Sequence, residues 1–205
     1  MRTPALVSLG VTGASVLGYR LVFGSRSQLF GSFPYQGDPS RREVALTFDD
    51  GPNEPWTSKL LDTLEDRGVL GTFFQVGRCA ERFPATTRRI VADGHVLGNH
   101  SFSHSFRSYL SEPRQQLEIE RTEEVLHRIA GVRPALYRPP WLCHWPWVLE
   151  GVRQQGLQVV SGTFGHPLEV FQPPAATLAT GAVRRARPGA MLIFHDGREA
   201  RGGPR

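Results

Sequence analysis

Short apolar runs alternate along this chain with longer stretches whose apolar residues recur at helical spacing. Val44-Ala45-Leu46-Thr47-Phe48 is the first such run and predicts a buried strand. Trp56 to Arg67 shows the helical period and stops at Gly68, a residue suited to a helix C-terminus. The same alternation predicts a strand from Leu70 to Val76, a helix from Pro84 to Asp93 ended by Gly94, and a strand from His95 to Asn99. Ser111 is placed to cap a long helix reaching about Ala130, with acidic residues in its first turns and Arg128 near its end. Further on come a strand from Ala135 to Arg138, a helix from Trp145 to Gln155, and a strand from Leu157 to Ser161. A helix from Pro173 to Arg187, flawed at Gly181, and a strand from Ala190 to Phe194 complete the series. Strands that alternate with helices predict a parallel sheet with helical crossovers.

A chain of 205 residues suits one domain with a substantial core. Its net charge of +5 comes almost wholly from arginine, Lys59 being the only lysine. No block of arginine with interleaved aromatics occurs, which sets nucleic acid aside as a partner. The excess is a bias spread over a solvated surface, although an acidic polymer or anionic membrane would also suit it. Cys79 and Cys143 lack Cys-x-x-Cys spacing and read as small core residues.

Residues 1–24 carry an apolar stretch behind Arg2 that is short for a membrane span. They are expected to form a membrane anchor or signal segment, the alternative being a helix packed on the domain. Residues 25–42 are rich in Gly, Ser, Pro and Arg and read as a linker or wrapping segment, and residues 43–205 as the folded domain. The anchor or signal implies an extracytoplasmic protein, membrane-anchored or secreted, and a monomer is expected.

The polar clusters sit just after predicted strands: Asp49-Asp50, His100 with His104, Arg138-Pro139-Pro140, and His195-Asp196. In a β/α barrel the carboxyl ends of the strands carry the active site, so the topology gathers all four. Two adjacent carboxylates in a partly buried place need a cation nearby. One helical turn would set His100 and His104 on one face, suited to one ion. Two imidazoles and one aspartate fill three positions on a divalent ion and leave room for water, while the second aspartate stays free as a base. Arg138, stiffened by the two prolines that follow it, could hold a carboxylate. His195 could protonate a leaving amine. Trp141, Trp145 and Trp147 would either line a sugar groove or pack the barrel. His95, His127 and His144 read as ordinary structural or surface histidines.

At these residues the chain resembles the polysaccharide deacetylases, carbohydrate esterase family 4 or the NodB-homology group, from about Glu43 to Gly197. The resemblance implies an α/β fold, a distorted (β/α) barrel of the NodB-homology type that here lacks its last helix and strand. It implies removal of acetyl groups from N-acetylated sugars of a cell-wall or chitin-like polysaccharide or oligosaccharide. Asp49 would be the base, and Asp50, His100 and His104 would bind zinc, or cobalt or another divalent ion. Arg138 would orient Asp49, and His195 would be the acid, with Ile193 in the hydrophobic wall beside it. Pro139, Pro140 and Trp141 would border the acetyl group, the Trp141 N–H facing its oxygen. The family's fourth motif carries Asp and Trp. This chain has Gly165-His166-Pro167-Leu168-Glu169-Val170, with Glu169 in place to replace the Asp and Val170 where the Trp would be. The alternatives are a catalytically impaired carbohydrate-binding relative and a deacylase of a non-sugar amide.

Overall fold

A computed structural model describes residues 16–166, 169–171 and 173–197. Seven strands form one sheet: β1 (Val44–Asp49), β2 (Thr72–Gln75), β3 (Val96–Asn99), β4 (Leu136–Tyr137), β5 (Gln158–Val159), β6 (Thr163–Phe164) and β7 (Ala190–His195). Their order is β5-β4-β3-β2-β1-β7-β6, and every neighbouring pair is parallel. The connecting helices are α1 (Trp56–Asp66), α2 (Gly77–Arg82), α3 (Pro84–Ala92), α4 (Glu112–Ala130), α5 (Pro146–Gln154) and α6 (Ala175–Arg185). The strands β5 and β6 lie on opposite edges of the sheet, yet only Val160, Ser161 and Gly162 separate them in the chain. This short stretch therefore spans the opening and makes the curved sheet a distorted barrel.

Side-chain alternation along β1 sets the two faces. Phe48 turns outward, stacks with Phe73 (5.0 Å) and Phe194 (5.8 Å), and joins Leu61, Leu64, Ile90 and Leu126 beneath the helices. Each such buried side chain contributes about 1.5–3 kcal/mol of transfer free energy. Thr47 and Asp49 turn inward, where the Arg138 guanidinium meets both. That guanidinium also donates to the carbonyls of Val160 (3.4 Å) and Ser161 (3.0 Å) in the spanning stretch, and its carbon lies 4.1 Å from the centre of the Phe74 ring. A single fully buried cation thus ties β4, β1 and the closing segment together.

Several elements differ from expectation. The helix α2 and the strand β6 were not anticipated. The expected Leu157–Ser161 strand pairs only over β5, because the chain leaves for the far edge. The helix α6 runs unbroken through Gly181, where a Cβ would meet the His166 ring. Ser111 sits at the N-cap of α4 without a side-chain cap bond, while Gly131, with φ of 71°, closes the other end by donating to His127 O at 2.8 Å.

Residues 22–37 lie along the barrel. Ser161 Oγ donates to Ser25 O, Ser161 N–H to Pro34 O, and Gly37 N–H to Gly189 O. Phe33 stacks on His144 at 4.1 Å. Among the described residues no helix is long and apolar enough to cross a membrane. The expectations for residues 1–15 and for the C-terminal end fall outside the described residues. Both cysteines are free and buried, in keeping with a core role.

Candidate active site

Strand register decides which side chains meet. Asp49 of β1 is directly beside His195 of β7, and Asn99 of β3 is beside Tyr137 of β4. The residues that follow, Asp50, His100 and Arg138, therefore emerge at one edge of the sheet.

Asp49 is buried, and its Oδ1 accepts from Arg138 Nη1 at 2.7 Å. Thr47 Oγ1 accepts from the same nitrogen at 2.8 Å and donates to Leu192 O. The other oxygen, Asp49 Oδ2, lies 4.0 Å from His100 Nε2.

Asp50 has φ of 73°, a left-handed conformation that aspartate tolerates better than most residues. Its Oδ1 is 3.4 Å from His100 Nε2 and 3.2 Å from His104 Nε2. Burial works to raise the Asp50 carboxyl, but hydrogen bonds from the two histidines and the charges of His104 and His195 hold it well below the carboxylate range. One ligand atom from each of Asp50, His100 and His104 lies within 4.8 Å of the others, all three residues being buried. His100 Nδ1 contacts Arg138 O at 2.6 Å, which places the proton there and leaves the Nε2 lone pair for an ion. Two imidazole nitrogens and one carboxylate oxygen suit a divalent ion of the zinc or cobalt kind.

The two histidines do not share a helical turn. They follow β3 in a loop where Ser101 and His104 take φ of 65° and 51°. Tertiary bonds hold this backbone: Ser101 N–H donates to Asn99 Oδ1 (2.9 Å), His104 N–H to Ser101 Oγ (3.1 Å), and Ser103 donates to the Glu118 carboxylate through both N–H (2.6 Å) and Oγ (2.8 Å). Asn99 is itself fixed by donating to Ile119 O of α4. Glu118 and Thr47 support the site without being visible in its motifs; only the serines and Asn99 around the histidines hinted at such a frame.

His195 Nδ1 lies 2.9 Å from Glu169 Oε1, so the fourth-motif glutamate does reach the histidine. Burial would depress the His195 imidazole, but the bond to Glu169 and the nearby Asp50 and Asp49 charges outweigh it and hold it above its ordinary value. Pro167 and Leu168 of that motif lie outside the described residues. Ile193, fully buried, precedes His195 by two positions on the same face of β7. Pro139 and Pro140 are buried beside Arg138. Trp141 has φ of 55°, is 43% exposed, and sits 4.4 Å from the His104 ring and 5.5 Å from Phe106. It forms one wall of the site. Trp145 and Trp147 contact each other at 4.7 Å, Trp147 Nε1 donating to Tyr109 O, so these two serve packing at least in part.

A parallel distorted barrel with a buried Asp-His-His cluster, a carboxylate beside it and His195 next to Asp49 in the strand register is the architecture of a carbohydrate-esterase fold with a place for a divalent ion. The family model for polysaccharide deacetylase matches residues 36–160, and the chain belongs to that family. It is 34% identical to a peptidoglycan-N-acetylglucosamine deacetylase of Bacillus cereus over 80% of this chain and 60% of the relative. A crystal structure of the Bc1960 peptidoglycan N-acetylglucosamine deacetylase, in complex with 4-naphthalen-1-yl-N-oxidanyl-benzamide, superposes with a TM-score of 0.76 at 34% identity, covering 80% of this chain and 77% of that one. A family 4 acetyl xylan esterase from Clostridium thermocellum, in complex with a cobalt ion, gives a TM-score of 0.69 at 34% identity, over 75% and 73% of the two chains. The family is metal-dependent. The chain spans less than two thirds of the length of the first of these relatives.

Proposed function

We propose that this protein removes acetyl groups from N-acetylated sugars of a cell-wall or chitin-like polysaccharide. The observation that carries this reading is the division of labour between neighbours: Asp49 is held by Arg138, while Asp50 converges with His100 and His104. Asp50, His100 and His104 would hold a divalent ion, zinc by the donor set, which would supply Lewis-acid polarisation and acidify a water. Asp49 Oδ2 is placed to take a proton from the attacking water as the water oxygen bonds to the acetyl carbonyl carbon. The Trp141 N–H is the matching donor to the oxygen that gains charge. His195, protonated at Nε2 with Nδ1 tied to Glu169, gives its proton to the nitrogen as the C–N bond breaks. Acetate and a free amino sugar result. The Glu169–His195 contact favours an active enzyme over an impaired carbohydrate-binding relative.

Acetate release from chitooligosaccharide or peptidoglycan fragments, with and without chelator, tests the assignment. The expected result is that Asp49→Asn keeps bound metal and loses turnover, whereas His104→Ala loses both. An Asp49→Asn protein with wild-type rates would overturn the base assignment.

The same proposal places the enzyme outside the cytoplasm, as a monomer tethered or exported through residues 1–24. Recovery of the full-length chain in the soluble cytoplasmic fraction would contradict that placement.

A further inference from the structure

Several arginines outside the active site are paired with carboxylates: Arg89 with Asp62, Glu65 and Asp93, Arg128 with Glu81, Arg153 with Glu150, and Arg41 with Glu43. Four are not. Arg26, Arg184, Arg185 and Arg187 line one cavity of about 150 Å³ where β6 and β7 begin. No acidic side chain lines it, and none of the four makes an ion pair among the described residues. The end of α6 accounts for part of this charge, since Arg185 Nη1 donates to Gly181 O at 2.9 Å and cations suit a helix C-terminus. Arg26, however, arrives from a distant segment, its guanidinium 6.0 Å from the centre of the Tyr35 ring, which also lines the cavity together with Thr163.

We propose that this cavity is a binding site for a phosphate group. Four arginines around one cavity without a carboxylate suit an anionic ligand. A phosphate group carries one charge as a diester and approaches two as a monoester at neutral pH, and its oxygens match the guanidinium fork. The cavity holds roughly five water volumes, enough for one tetrahedral anion and too little for an oligosaccharide. It is also remote from the chemistry. Ala190, in its wall, is five residues from His195, about 17 Å along the strand. Phosphate here would therefore hold the enzyme to a phosphate-bearing molecule without entering the hydrolytic site. Inorganic phosphate and the headgroup of an anionic phospholipid share this chemistry.

The test is calorimetric titration of the full chain with inorganic phosphate against chloride at matched ionic strength, together with cosedimentation on phosphatidylglycerol or phosphatidylcholine vesicles. Phosphate is expected to bind, and the double variant Arg26→Gln/Arg185→Gln to weaken it by roughly tenfold or more. Arg41→Gln, outside the cavity, should change nothing. Acetate release from a neutral chitooligosaccharide should be equal in all three proteins, so this test stands or falls apart from the hydrolase assignment. Phosphate binding together with cosedimentation on phosphatidylglycerol but not phosphatidylcholine vesicles, both lost in the double variant, assigns the site to a lipid headgroup. Phosphate binding without cosedimentation assigns it to a soluble phosphate. Phosphate no better than chloride, a double variant that binds as the wild type does, or an equal loss in Arg41→Gln would each overturn the proposal.

Discussion

Glu169 reaches His195 across the rim of the barrel, its Oε1 2.9 Å from the imidazole Nδ1. The contact fixes the tautomer, so the transferable proton sits on Nε2. It also opposes the depression that burial imposes on the imidazole. Glu169→Gln removes the charge and keeps the shape. The His195 pKa then falls, and the alkaline limb of kcat/KM, where the acid must still be protonated, moves to lower pH. Turnover at neutral pH should drop by roughly 10- to 100-fold, the usual effect of such a supporting group. A pH–rate profile of the variant checks both. An alkaline limb that stays in place would mean that another group supplies the proton.

Arg138 holds more than Asp49. Its guanidinium meets Asp49, Thr47, Val160 O and Ser161 O, and its own carbonyl accepts from His100. Arg138→Met would leave the Asp49 carboxylate buried without its cation, a loss of about 3–5 kcal/mol. Arg138→Lys keeps the charge but cannot span all four acceptors, so an intermediate loss is expected. Urea unfolding of the three proteins, read beside acetate release, should rank wild type, Lys and Met in that order for both quantities. Equal stability of wild type and Arg138→Met would show that the pair contributes little.

The strands β1 and β7 were legible because each reads as a nearly continuous apolar run. The helix α2 was not: Gly-Arg-Cys-Ala-Glu-Arg is too short to show a period. Two-residue β6 was hidden for the same reason, and its place at the far edge depends on where Val160 to Gly162 are led by Arg138. The site residues were legible because each follows a strand. The shape of the histidine loop was not, since spacing of four suits a helix equally well. Its left-handed residues are held by Asn99 and by Glu118, fifteen positions beyond Ser103. Such support exists only once α4 packs beside β3.

His144 is buried against Phe33, and neither ring nitrogen has a hydrogen-bond partner among the described residues. Burial pushes its imidazole down to about 4. Between pH 6.5 and about 4 the unfolded chain binds a proton that the folded chain refuses. Stability is therefore full above that window and falls as pH drops through it, by about 3 kcal/mol in all. His144→Phe fills the same space beside Phe33 without the unmet polar atoms. The variant should be more stable by about 1–2 kcal/mol at neutral pH and should lose the acid slope. Unfolding midpoints from pH 4 to 7 check this; parallel curves for the two proteins would exclude His144 as the source.

Gly51, next to Asp50 in the chain, is pressed against Asp196. A Cβ on Gly51 would overlap both carboxylate oxygens of Asp196. Neither partner can give way cheaply: Thr57 Oγ1 donates to Asp196 Oδ2 at 2.7 Å, and Asp196 N–H donates to Asp49 O at 3.1 Å. Gly51→Ala should therefore cost about 1–3 kcal/mol and weaken metal binding by displacing Asp50. If the cause is this overlap, Asp196→Ala makes room for the new methyl, and the double variant should be more stable than the sum of the single losses predicts. Unfolding free energies of the four proteins close the cycle. Strict additivity would mean that the glycine serves the backbone turn instead of the close approach of Asp196.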